Sequence, residues 1–389
     1  MQPGKVQYLE GLRGIAAMQV VLLHFVSGFL PERAQHAWPP LRVLFDGHTA
    51  VYVFFLISGA VLTPSFARPG PFAAKLVKRV VRLGIPVAAA AVIATLLLAA
   101  WPDAHLRAAA LTGSAWLAMD SSGAPTLAHL AREVSLDSLL LGYREATLFA
   151  PLAERLPLME QSLDAPFWSL HLELYGSLLV LVLVWLRARS AWLYRVLVGA
   201  AAVLFGTHPM FLFVLGHLLS PVMALPVDGH KRLCAMLPLA GTLLLAVGLA
   251  LAATKDWRVI ETCRLWVAAI ELAASPNLFQ FASQLAAVLI FVGVLLHPPA
   301  QALLQRWSCR QLGRLSFGIY LLHFPILFTV ACLILTDTQP VLPFAASVAI
   351  VFVVFIGITM FAAMLFERWI DRPAIALSRR AGATRWQAA

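Results

Sequence analysis

The chain has 389 residues, 61% of them hydrophobic and only 12% charged, and its mean hydropathy is +0.83. A soluble domain is about half apolar and about a quarter charged, so this composition excludes a soluble globular enzyme and a disordered chain alike. The net charge of +10 does not call for nucleic acid, because the cytoplasmic loops of membrane proteins collect Lys and Arg.

The predicted fold is all-α: a polytopic membrane protein of about ten transmembrane helices, with both termini cytoplasmic. The first apolar stretch, Ile15 to Leu30, shows no small-residue cleavage site before Pro31, so it reads as a retained span. Further spans are expected at about 50–63, 85–101, 168–186, 196–208, 210–227, 233–253, 278–296, 315–335 and 341–366. Charge tests this order independently. With the N terminus inside, the inner segments hold 20 basic and 4 acidic residues, and the outer segments 9 and 13. That asymmetry is what the positive-inside rule requires.

The segment 102–167 is the least regular. Its run Ala108–Met119 is too short to span, and Val134–Ala150 fits an interfacial or re-entrant helix. The chain divides into a transmembrane domain, 1–373, and a basic cytoplasmic tail, 374–389. Cys234, Cys263, Cys309 and Cys332 form no CxxC pair and read as apolar fillers, so no metal site is expected.

Ionisable groups inside spans are costly and mark candidate sites. Arg13 and His24 are eleven residues apart, which puts them about 20° apart around one helix and about 16 Å apart along it. A buried, satisfied His with a boundary Arg is the plainer reading of the same pattern. Trp168, Ser169, His171, Glu173 and Tyr175 open the fourth span at its expected outer end. There Glu173 has a depth similar to that of His24, and a carboxylate beside an imidazole fixes its tautomer. An interfacial, solvated Glu is the alternative. Lys75, Lys78, Arg79 and Arg82 share one helical face before the third span. Such a stripe grips phosphates, either of lipid headgroups or of a nucleotide-containing ligand. Ser58-Gly59 permits close backbone approach, Tyr320 and His323 precede a kinking Pro325, and Glu367 and Arg372 flank the last span. His208-Pro209 is expected to make a hairpin, and Glu271 has no assigned depth. No P-loop, GxSxG, HExxH or dinucleotide fingerprint occurs.

Six stretches in order resemble acyltransferase family 3, the bacterial membrane O-acyltransferases. They are Tyr8–Ala17 leading to His24 (Arg-x10-His), Val53–Gly59, Arg79-Val-Val-Arg82 with Pro86, Trp168-Ser169-Leu170 with Glu173 and Tyr175, Gly313–Pro325, and Glu367 with Pro373. One departure is Tyr52, where many members carry an acid before the Phe-Phe pair. The resemblance implies transfer of an acyl group, commonly acetyl, from acyl-coenzyme A to a hydroxyl. The acceptor would be a sugar, a glycan or a lipid-linked saccharide, in the bacterial inner membrane. It implies no permanently bound cofactor, membrane lipids as surroundings and no nucleic-acid partner. Acceptor recognition is then left to the bundle and its outer loops. Under it, His24 and Glu173 are the catalytic candidates, His24 as general base or acyl carrier. Arg13, Arg79 and Arg82 would hold the donor, and Trp168, Ser58, Tyr320 and His323 would line the substrate path. The competing class is a transporter of a solute or glycan-lipid, with His24 and Glu173 as a proton relay. The absence of an inverted repeat weighs against it.

Overall fold

A computed structural model describes residues 7–119, 125–224, 231–254 and 278–384. Among these residues there are helices and turns and no strand. Among the described residues, eight helical stretches are long and apolar enough to cross a membrane: Gln7–Phe29, Gly47–Phe66, Phe72–Ala100, Ala165–Arg187, Met236–Thr254, Phe279–Leu296, Trp307–Thr338 and Phe344–Arg380. Two shorter apolar helices, Ala191–Phe205 and Met210–Met223, coincide with the two short spans expected there. The protein is an all-α polytopic membrane protein. Glu271 and Cys263 lie outside the described residues.

The helices used below are α1 (Gln7–Phe29), α2 (Gly47–Phe66), α3 (Phe72–Ala100), α4 (Ala104–Thr112), α5 (Leu170–Arg187), α6 (Ala191–Phe205), α7 (Met210–Leu219), α8 (Lys231–Thr254), α9 (Leu278–Leu296), α10 (Trp307–Ile326), α11 (Phe344–Phe366) and α12 (Arg372–Thr384). Local chemistry sets several ends. Asp46 caps α2 by accepting from the Thr49 amide at 3.2 Å, and Ser190 caps α6 by accepting from Leu193. His208 accepts from the Met210 amide at 3.2 Å in the expected hairpin before α7. Pro325 lacks an amide proton, and α10 continues after it as a π-helical stretch, Leu327–Ala331.

The chain forms two compact units. The first comprises Met1–Val20, Ala37–Pro69 and Gly176–Gly313. Its helices approach through glycines. A Cβ on Gly59 would lie 2.2 Å from the Phe213 carbonyl oxygen, and one on Gly216 would lie 2.2 Å from that of Leu56, so α2 and α7 touch backbone to backbone. His217, buried on α7, is held by the Thr63 hydroxyl at 2.9 Å and the Tyr194 hydroxyl at 3.1 Å. Glycines also join the start of α1 to that of α10. A Cβ on Gly313 would meet the Glu10 carbonyl oxygen at 2.0 Å, and one on Gly14 would meet the Gly313 nitrogen at 2.5 Å. Gly313→Ala is therefore expected to force the two helices apart and cost about 2–3 kcal/mol, read as a lower thermal midpoint of the purified protein. An unchanged midpoint would refute this close approach.

The second unit comprises Val21–His36, Gly70–Tyr175 and Arg314–Ala389. Here the segment after α3 turns back. Leu117 is buried against Gly28 of α1, and Ser114 donates to the Ser27 carbonyl at 2.7 Å. A π-helical stretch, Glu133–Leu141, then packs on α3, with Leu139 beside Gly84. This is the stretch expected to be interfacial or re-entrant. It ends at Gly142, where φ is +76° and a Cβ would sit 2.8 Å from the His171 ring, so a side chain is excluded twice over. The expected basic tail is helical to Thr384, with Ala374 and Ser378 buried.

Candidate active site

The second unit gathers His24, His323, Trp116, Phe324, Tyr320 and Ser169. His24 Nδ1 and His323 Nε2 are 2.8 Å apart, and the two rings lie edge to edge in nearly one plane, 5.0 Å between centroids. Trp116 stacks on His24 at 5.3 Å, and Phe324 meets it edge-on at 5.6 Å. His323 is fully buried, and its Nδ1 lies 2.9 Å from the Ile319 carbonyl oxygen.

These contacts assign the protons. A carbonyl only accepts, so His323 Nδ1 carries the hydrogen. In the neutral dyad His323 Nε2 is then an acceptor, and His24 Nδ1 donates to it. The unprotonated nitrogen of His24 is consequently Nε2. An imidazole held in one tautomer by another fixed group is the geometry of a general base.

One turn from His323, Tyr320 is buried and its hydroxyl donates to the Pro166 carbonyl at 2.9 Å, with Ser169 Oγ at 2.8 Å. The short 3-10 turn Ala165–Ser169, which carries the half-buried Trp168, is thus anchored to α10. Four residues on, Glu173 forms an ion pair with Arg79, their side chains 15% and 11% exposed.

This corrects the expected placement of the fourth span. Glu173 was expected just inside the outer end, matched in depth to His24. Its partner Arg79 is only seven residues from the start of α3, the end that carries Lys75 and Lys78. Within the segment before α5, Glu133–Leu141 packs on α3, and Glu173 then meets α3 at Arg79. The pairings seen are Glu173 with Arg79 and His24 with His323.

Arg82, the other arginine of the stripe, faces Asp371 at 3.5 Å. Glu367 binds Arg372 at 2.7 Å and faces Arg314 at 3.3 Å. Arg13 and Ser58 belong to the first unit, where Arg13 donates to the Ser58 hydroxyl at 3.3 Å. Tyr52, at the position where an acid was expected, is buried on α2. Among the described residues no cluster of His, Cys, Asp and Glu has metal-binding form.

Two groups of residues escaped sequence reasoning. One is Trp116, whose only signal was an aromatic residue in an apolar run too short to span. The other is a buried acid cluster. Glu133 accepts from the Tyr143 hydroxyl and, at 3.3 Å, from the Leu163 amide. Neighbouring Asp164 is fully buried, and neither carboxylate oxygen has a hydrogen-bond partner among the described residues. Burial pushes Glu133 up to about 7, against the pull of its two hydrogen bonds. Burial, and then the charge of Glu133, pushes Asp164 well above the usual carboxylate range.

The sign follows from linkage. A carboxyl raised on folding binds more protons folded than unfolded, so stability is lost as pH rises from about 4.5 to about 7. The loss from Glu133 is about 3 kcal/mol, and Asp164 adds in the same direction. The thermal midpoint is expected to fall between pH 5 and 7.5, and Glu133→Gln to flatten that fall. A midpoint that rises over this range would refute the assignment.

The family model described as an acyltransferase domain covers residues 6–366. Comparisons with curated proteins and with solved structures returned no match. The matched range holds the histidine dyad, the Arg79–Glu173 pair and the tyrosine that anchors the start of α5, so the chain belongs to acyltransferase family 3 and is a membrane acyltransferase.

Proposed function

We propose that the protein moves an acyl group, acetyl in the simplest case, from acyl-coenzyme A to a hydroxyl of a sugar, glycan or lipid-linked saccharide in the bacterial inner membrane. His24 is the general base. The acceptor oxygen attacks the thioester carbonyl carbon while His24 Nε2 takes the hydroxyl proton. The tetrahedral adduct collapses, the carbon–sulfur bond breaks, and the thiolate leaves and recovers the proton. His323 positions His24 by accepting from Nδ1. The observation that carries this reading is the chain from the Ile319 carbonyl through His323 to His24, which leaves Nε2 unprotonated.

The stripe Lys75, Lys78, Arg79 and Arg82 supports a cytoplasmic position for the basic end of α3, and with it a donor site there, on the side where acyl-coenzyme A is made. Arg79 and Arg82 serve the donor phosphates there; a guanidinium has five N–H donors, so Arg79 keeps several beyond the one given to Glu173. Tyr320 and Trp168 line the path between donor and acceptor.

The test is transfer from radiolabelled acetyl-coenzyme A in inverted membrane vesicles. Label in a glycan or lipid fraction with wild type, and not with His24→Ala, supports the proposal. Failure of every acyl-coenzyme A to label or bind, with a panel of acceptors supplied, refutes it and favours transport.

A further inference from the structure

The run Ala108–Met119, too short to span, delivers the half-buried Trp116 to the histidine dyad. Its neighbours fasten it there. Ser114 donates to the Ser27 carbonyl at 2.7 Å and accepts from the Leu117 amide at 3.2 Å, and Leu117 packs on Gly28. Residues on both sides of Trp116 are thus held to α1 about one turn beyond His24. From α10 and the π-helical stretch after it, Phe324 and Phe328 meet the indole at steep angles, their centroids 5.8 and 5.1 Å away. These two rings stack on each other at 4.3 Å.

The indole held in this way lies within 14° of the plane of the His24 ring, 5.3 Å between centroids. A cation is attracted to the negative face of an aromatic ring within about 6 Å, and Trp has the strongest such face. His24 is neutral at rest and becomes charged only when Nε2 takes the acceptor proton. His323 supplies an acceptor for Nδ1–H but no negative charge, and Glu173 pairs with Arg79. An interaction stronger with imidazolium than with imidazole favours the transition state over the ground state.

We propose that Trp116 is a positioning residue for acyl transfer, whose indole face stabilises the imidazolium that forms on His24 as the acceptor hydroxyl loses its proton. It rests on the reading of His24 as general base. Of the titratable groups around the stack, His323 touches His24 in plane. Tyr320 lies one turn earlier on α10 with its hydroxyl on the Pro166 carbonyl, and His105 of α4 lies against Phe328.

The experiment uses the full chain in nanodiscs, with tetrafluorotryptophan placed at Trp116 by nonsense suppression beside Trp116→Phe and Trp116→Leu. Fluorination keeps the shape of the indole and withdraws the negative potential from its face, so a packing role does not register it. The acidic limb of the kcat/KM profile is expected to move about one unit to lower pH in the fluorinated protein, and the plateau to fall about three- to tenfold. Its thermal midpoint is expected to stay at that of wild type. Trp116→Phe is expected to fall between wild type and Trp116→Leu, as the weaker π face of a phenyl requires. The His24 ring is also titrated by nitrogen-15 NMR, its signal identified by loss in His24→Ala, which needs no turnover and is expected to move with the limb. A wild-type profile and titration in the fluorinated protein, whatever Trp116→Leu loses, overturn the inference and leave His24 as the base. Full transfer in His24→Ala overturns the general-base reading and the inference with it, even where the titration moves.

Discussion

In His24→Ala protein, acyl transfer is expected to fall at least about 10³-fold while the fold survives. His24 is only half-buried, and its hydrogen-bond partner His323 keeps its own bond to Ile319 when the imidazole is gone. The loss is therefore of chemistry and not of structure. The companion variant is His323→Phe. A phenyl ring keeps a flat apolar ring in the place of the imidazole, yet it has no acceptor for Nδ1–H. His24 is then free to place its proton on either nitrogen and to rotate, so a loss of about 10²-fold is expected, smaller than for His24 itself. A purely structural role would lower the amount of folded enzyme and leave the pH dependence of kcat/KM in place. A positioning role moves that profile, because the group being titrated has lost its fixed partner. Full activity in His24→Ala, in correctly inserted protein, would remove the base from the mechanism. An unaltered pH profile in His323→Phe would reduce the dyad to packing.

The spans were legible because each had to be apolar over most of its length, and that constraint acts on consecutive residues. His24 and Arg13 stood out for the same reason, as ionisable groups in an apolar helix. Partners were not legible. His24 and His323 are 299 residues apart, and nothing local to either names the other. Depth misled where the chain does not simply cross. The segment before α5 contains short helical turns with no continuous hydrophobic period, so its packing on α3 left no pattern. Glu173 was accordingly matched to His24 by counting from an assumed outer surface. Glu133 and Asp164 were hidden by the same segment, since carboxylates in a polar loop ordinarily face water. Their burial depends on Tyr143 and on the packing of the loop, both tertiary facts. The family resemblance supplied the importance of several of these residues, but not who touches whom.

Arg79→Ala is expected to be the most damaging single change to stability, costing about 3–5 kcal/mol. Arg79 and Glu173 are 11% and 15% exposed and pair across α3 and α5. Removing the guanidinium leaves a largely buried carboxylate without its counter-ion, and the penalty is that of the orphaned charge. This complicates any reading of Arg79→Ala as a donor-binding mutant, because lost activity would follow from lost fold. The double variant Arg79→Met with Glu173→Gln separates the two. It removes both charges, keeps side chains of similar reach, and is expected to recover most of the thermal midpoint lost by Arg79→Ala. If Arg79 also serves the donor, the double variant folds yet binds coenzyme A at least about tenfold more weakly, the value of one charge-assisted phosphate contact. If the pair is structural only, folding and donor binding return together. A midpoint in Arg79→Ala equal to that of wild type would show that the ion pair contributes nothing net. The junction of α3 and α5 would then rest on apolar packing.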